Sequence, residues 1–181
     1  MFNLFRKKEN AIPTVRFRHI TYASAAEKTK AIVTKASADP DAVFICWFPE
    51  TAVQLKKVFE EQHINTARIL EARNVHSAMI SNKHIAFAES YPLHTKEREL
   101  VAGWPPREVV IYGALDEPFF QHFGGNKIVD LLQKIGIKED EPLEHSMISR
   151  SIETAQEKVA KQMLTEQTAR SQAEWVQKNL K

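Results

Sequence analysis

The sequence predicts an α/β domain built on a parallel-rich sheet with flanking helices, followed by a long carboxyl-terminal helix. Three observations predict it. The run Ala42-Val-Phe-Ile-Cys-Trp-Phe48 is apolar without alternation, the pattern of a strand covered on both faces. Short apolar runs alternate with stretches of helical periodicity in the order strand, helix, strand, helix, strand. From Ser146 onward, apolar residues recur at three- and four-residue spacing almost to the end of the chain. The 181 residues suffice for one domain with an appended helix. We divide them into a flexible segment 1–13, an α/β unit 14–145 and a helix 146–181.

Val15 to Ala23 reads as the first strand, with Val15, Phe17 and His19 alternating against Arg16, Arg18 and Ile20. Ser24 offers a hydroxyl to cap a helix running to about Ala38, where Asp39-Pro40-Asp41 stops it. Pro49-Glu50-Thr51 opens a second helix, in which Val53, Leu55, Val58 and Phe59 suit one buried stripe. Ala67 to Leu70 and Lys83 to Glu89 are further strands. Thr95 begins a helix through Leu100, ended by Gly103 and Pro105-Pro106, and Glu108 to Tyr112 is the last strand. In the final helix Ile148, Ile152, Ala155, Val159 and Met163 form a stripe that Ala169, Ala173, Val176 and Leu180 resume. The pairs Glu157–Lys161, Glu166–Arg170 and Glu174–Lys178 support its solvent side. Such a helix is about 50 Å long at ~1.5 Å per residue. That exceeds what a small α/β domain covers, so its distal half needs a partner surface or a second copy of itself.

Hydrophobic content of 43% supports a real core, and 27% charged residues is ordinary. A net charge of +2 makes no electrostatic case for nucleic acid or acidic lipid. Arg6, Lys7 and Lys8 follow Met1 to Phe5, which fits either a weak membrane-surface tag or a solvated terminus. The single Cys46 excludes an intrachain disulfide framework and fits a reducing compartment. No apolar run approaches the roughly 20 residues that span a bilayer, and the stretch before Arg6 is too short for a signal sequence. A cytoplasmic protein with at most peripheral membrane contact is expected.

The most specific stretch runs from Phe123 to Lys161. It holds a Gly-Gly turn, a short amphipathic pattern stopped at Ile135-Gly136, an acidic patch with Pro142, then Glu144-His145. The Ile-Glu-x-Ala-Gln core follows at Ile152, Glu153, Ala155 and Gln156. This run resembles the exit from the second nucleotide-binding domain of the SecA preprotein translocase ATPase family into its scaffold helix. Upstream, Val43 to Phe48, the Pro49-Glu50-Thr51 turn, Leu55, Phe59, His63-Ile64 and Arg68-Ile69-Leu70 are similar in pattern to the start of that domain. Val109 to Leu115 resembles its final strand, and Asp116-Glu117 its acidic pair. The resemblance implies an incomplete helicase-like domain of the kind found at the carboxyl end of P-loop NTPases, and it covers Ala42 to about Lys161.

The departures bear on activity. No G-x-x-x-x-G-K-[ST] loop exists to cradle phosphates. The acidic strand end that holds Mg²⁺ in the family belongs to a domain with no counterpart in this sequence. The family's arginine-bearing segment is also missing; the chain reads Tyr91-Pro-Leu-His-Thr-Lys-Glu-Arg-Glu-Leu100 instead. Positioning and charge stabilisation of phosphoryl transfer are then both lacking, so no autonomous ATPase, no catalytic residue and no cofactor is expected.

Other candidates carry two readings each. Gly124-Gly125-Asn126-Lys127 ahead of a helix fits anion binding or a plain turn. Cys46 fits a nucleophile or a small core hydrophobe. The seven histidines lack metal-ligand spacing, so no metal site is assigned. His94, Lys96, Glu97, Arg98 and Glu99 fit acid–base work or a solvated helix face. Trp104 beside Pro105-Pro106 anchors a partner or covers the sheet edge. Phe119, Phe120 and Phe123 are a docking patch or packing around the Gly-Gly turn.

A non-catalytic interaction or adaptor protein connected with preprotein translocation is the leading expectation. Its surface would comprise Trp104, Phe119, Phe120, Phe123, Met163, Trp175, Val176 and Leu180. Its partner would be a translocase component or a second copy joined through the long helix. The alternatives are a regulator that binds ATP or ADP weakly without hydrolysis, and an unrelated small-molecule enzyme using the His94–Glu99 cluster.

Overall fold

The computed structural model describes residues 15–102, 104, 108–134 and 136–180. The basic segment Arg6 to Lys8, Gly103, Pro105-Pro106 and Ile135 lie outside the described residues. Strand β1 (Arg16–Tyr22) leads to α1 (Ala25–Ala38), whose cap is the expected one: the Ser24 hydroxyl accepts the Glu27 amide N–H. The apolar run becomes β2 (Ala42–Cys46), all five residues buried. Helix α2 (Pro49–Glu61) starts on Pro49, whose missing N–H costs nothing at a first helical position. It buries Ala52, Leu55 and Phe59, whereas Val53 points to solvent. Then follow β3 (Ile69–Glu71), α3 (Ser77–Ile80), β4 (His84–Phe87), α4 (His94–Val101) and β5 (Glu108–Ala114). Helices α5 (Pro118–His122), α6 (Gly125–Lys134), α7 (Ser146–Gln162) and α8 (Gln172–Asn179) complete the chain.

The five strands form one wholly parallel sheet in the order β1-β5-β4-β2-β3. One face packs Ile20, Phe44, Cys46, Ala86 and Tyr112 against Ile32 and Ala36 of α1 and Leu55 and Phe59 of α2. The other packs Ile45, Phe87, Val109 and Ile111 against Ile80 and Val101. Fully burying one such aromatic or aliphatic side chain contributes about 1.5–3 kcal/mol. Burial on both faces explains why β2 shows no alternation.

The Phe123–Lys161 stretch folds as a connector clamped onto the sheet. Gly124 takes φ +87°, and a Cβ at Gly125 would come within 2.1 Å of the Leu115 carbonyl oxygen. Helix α6 ends on Gly136 at φ +84°, with the Ile137 amide reaching back to the Leu132 carbonyl, the bond of a Schellman stop. Leu143 forms an antiparallel bridge to Thr21 on the free edge of β1, and Glu144 accepts from the Arg18 guanidinium. His145 then caps α7 by accepting the Met147 amide on Nδ1.

The carboxyl-terminal helix differs from expectation. It stops at Gln162, and the chain folds back through residues 163–171 into the separate helix α8. Of the expected pairs, Glu174–Lys178 forms within α8 at 2.5 Å. Glu166 and Arg170 lie in the fold-back, where Glu166 accepts instead from the Tyr91 hydroxyl and the Trp175 indole N–H. The distal stripe needed a surface to cover it, and the chain's own sheet edge supplies that surface.

Candidate functional site

In an open parallel sheet, ligands bind beyond the carboxyl ends of neighbouring strands whose connections leave in opposite directions. Here β2 runs through α2 to β3 on one side, while its neighbour β4 runs through α4 to β5 on the other. A cavity of about 450 Å³ opens beyond those two strand ends, lined by Lys28, Thr51, Leu55, Glu89, Glu117 and Gln172 among others.

Its centre is the Glu89 carboxylate, 2% exposed, in the residues directly after β4. One oxygen accepts the backbone N–H groups of Trp47 and Phe48, each at 3.0 Å. The other accepts the Thr51 hydroxyl at 2.7 Å. These donors stand at the amino end of α2, where free N–H groups and the helix dipole favour an anion. The anion present is a side chain of the same chain. Burial pushes the Glu89 carboxyl up to about 7, against the pull of Lys28 and of its hydrogen bonds.

Lys28 of α1 enters from the opposite wall, also buried. Its ammonium donates to the Glu117 carboxylate and, at 2.8 Å, to the Ala88 carbonyl. Burial works against that charge, but Glu117 and Glu89 more than offset it and hold its pKa above the ordinary lysine value. Glu117 also accepts the Ala114 amide, and its neighbour Asp116 accepts the Ala25 amide at the start of α1. Both members of the acidic pair are therefore bound to the edge they overhang.

Residues 166–180 form a strap across this edge. The Glu50 amide donates to the Arg170 carbonyl at 3.0 Å. Gln172 accepts the Phe119 amide at 2.9 Å and donates to the Ser90 carbonyl at 3.2 Å. Trp175 is fully buried beside Tyr91, which in turn stacks near Trp47 and Phe48. Asn179 closes the strap on itself by accepting from the Gln167 amide and donating to its carbonyl.

The expected interaction surface is thereby corrected in part. Phe119, Phe120 and Trp175 are buried, and Met163, Val176 and Leu180 are partly covered by the same cluster. Folding back of the strap onto α5 is the reason. Phe123 remains 37% exposed, next to Ile128 at 44% and Leu131 at 57% on α6. Trp104 packs partly covered against the Val101–Val109 core. Gly125 faces a carbonyl oxygen, so the Gly-Gly turn serves close packing. Cys46 is buried, and burial raises its thiol far above the reactive range.

The His94–Glu99 run is divided between surface and core. Glu97 is fully buried and accepts from the Tyr91 amide, from His94 and from Gln156 of α7. Burial raises its pKa, and those bonds oppose the rise. Gln156 also donates to the Tyr91 carbonyl at 2.7 Å, so this residue of the Ile-Glu-x-Ala-Gln core fastens α7 to α4. Nearby His19 is 3% exposed with neither ring nitrogen bonded, and burial pushes its imidazole down to about 4. Lys28, Glu89 and Gln172 escaped the sequence reading, which places Glu166 in a solvent-side pair with Arg170. The one signal for Glu89 was an acidic residue closing an otherwise apolar strand.

Among the described residues no group of three His, Cys, Asp or Glu is placed to hold a metal ion, and no helix is long and apolar enough to cross a membrane. No protein-family model matches the chain. Protein translocase subunit SecA of Acinetobacter baumannii is 33% identical over 112 residues, 61% of this chain and 12% of that protein. SecA of Psychrobacter sp. is 32% identical over 122 residues, 67% of this chain and 12% of its own length. SecA 1 of Alkaliphilus metalliredigens reaches 43% over 54 residues, 30% of this chain and 6% of the relative. The chain thus contains a SecA-related region and spans 12% or less of these relatives.

Proposed function

We propose that this protein is a non-catalytic interaction protein acting in preprotein translocation, with a SecA-type domain that has exchanged nucleotide handling for internal closure. The observation that carries the reading is Glu89, whose carboxylate takes the Trp47 and Phe48 amides and the Thr51 hydroxyl. A phosphate arriving there would have to displace a buried carboxylate and sit beside a second one, Glu117. Lys28, the cation that lines the cavity among the described residues, is already paired. The sequence adds the missing phosphate loop. Similarity to translocase subunits supports the process. The partner is then a translocase component or a second copy of the chain. Affinity capture from the native cell tests this: translocase components should co-purify, and their absence together with a strictly monomeric chain would remove both partners.

A regulator that binds ATP or ADP weakly is the second reading, favoured by the 450 Å³ cavity at the strand ends. A nucleotide at 100 times its dissociation constant adds about 2.7 kcal/mol of stability. Under the first reading millimolar nucleotide leaves the melting temperature unchanged.

A further inference from the structure

Residues 146–180 contain neither Gly nor Pro, and their apolar stripe runs through the turn that breaks the helix. At that turn Met163 is extended (φ −96°, ψ 121°), and the Leu164 side chain is fully exposed. Nothing in residues 163–165 opposes helical geometry, and the left-handed backbone that would fix a reverse turn is not used there. Beyond the turn, the strap 166–180 is bound as a unit, Glu166 accepting the Tyr91 hydroxyl, Arg170 the Glu50 amide and Gln172 the Phe119 amide, with the Trp175 ring against Tyr91. The contacts inside the strap, Asn179 to Gln167 and Lys178 to Glu174, travel with it.

We infer that the strap is exchangeable between two copies of this chain. Residues 163–165 hinge into helix, α7 lengthens by a turn, and the freed strap seats on the sheet edge of a second copy. The occupant is fixed by complementarity already visible, because the groove holds this same sequence in cis and a second copy brings an identical strap. The exchanged dimer repeats every strap contact of the closed chain and differs only at the hinge, the condition under which swapping is a low-cost route to dimers. Helix α7 stays home, held by Gln156 on Glu97 and by buried Ile152 and Val159. The proposal deepens the interaction reading above yet fails separately from it, since loss of exchange leaves translocase capture unaffected.

The test uses two full-length variants, Glu50→Cys and Arg170→Cys, at the backbone-bonded pair of strap and groove. Mixed at high concentration and oxidised, they should yield a disulfide-linked heterodimer absent from either variant alone. Light scattering of the unmodified chain should show a dimer fraction rising with concentration. Leu164→Pro keeps the closed form, because Met163 already holds the extended backbone that precedes proline. It should lower the dimer fraction about a hundred-fold by blocking the lengthened helix. No cross-linked heterodimer together with a monomer at every concentration overturns the proposal, as does a dimer fraction indifferent to Leu164→Pro.

Discussion

Glu89 and Gln156 show how much of this fold depends on buried polar side chains that make defined bonds. Glu89 titrates near 7 rather than its ordinary 4.5, so the folded chain holds a proton more tightly than the unfolded chain between those values. Its contribution to stability is therefore greatest below about 4.5 and declines as pH rises to about 7. His19, lowered to about 4, slopes the opposite way across much of the same window, so total stability hides both. The difference between variants separates them. Glu89→Gln keeps an acceptor for the Trp47 and Phe48 amides, and its stability relative to the parent should rise by about 3 kcal/mol from pH 4.5 to 7. Urea titrations at both pH values measure it, and a pH-independent difference would mean Glu89 does not titrate there. Gln156→Leu removes one of the three donors to the buried Glu97 carboxylate and takes the side-chain donor from the Tyr91 carbonyl. It should cost about 1–3 kcal/mol in the same assay.

The strands and the first helices were legible because their signals are local: an unbroken apolar run for β2, a serine cap for α1, a proline start for α2. Helix α7 was legible only to Gln162. Past that point the sequence is as helical as before, and what decides against one long rod is non-local: Trp175 has a pocket beside Tyr91, and Glu166 has two donors there. Periodicity records that an apolar stripe must be covered, not which surface covers it. The site was hidden for the same reason, since Lys28, Glu89, Glu117 and Gln172 meet only through the sheet order. Trp175→Ala should loosen the strap at a cost of about 3–5 kcal/mol. Limited proteolysis should then cut within residues 163–180 while a fragment ending near residue 162 persists. Equal resistance in parent and variant would show that the strap is held by something other than this indole.

Taken as one fold, the chain contains a SecA-related region and a parallel sheet with a clamped connector, its own groups lining the edge where a ligand would enter. Glu89 sits at the amino end of α2, Lys28 and Glu117 neutralise each other, and the strap lies over them. The proposal of an interaction protein stands or falls on that closure. Its most direct measurement is calorimetric titration of the full chain with MgATP to millimolar concentration, with phosphate release followed in parallel. The closed edge predicts no saturable heat and no release above background. Saturable binding, or hydrolysis that Glu89→Gln alters, would contradict it.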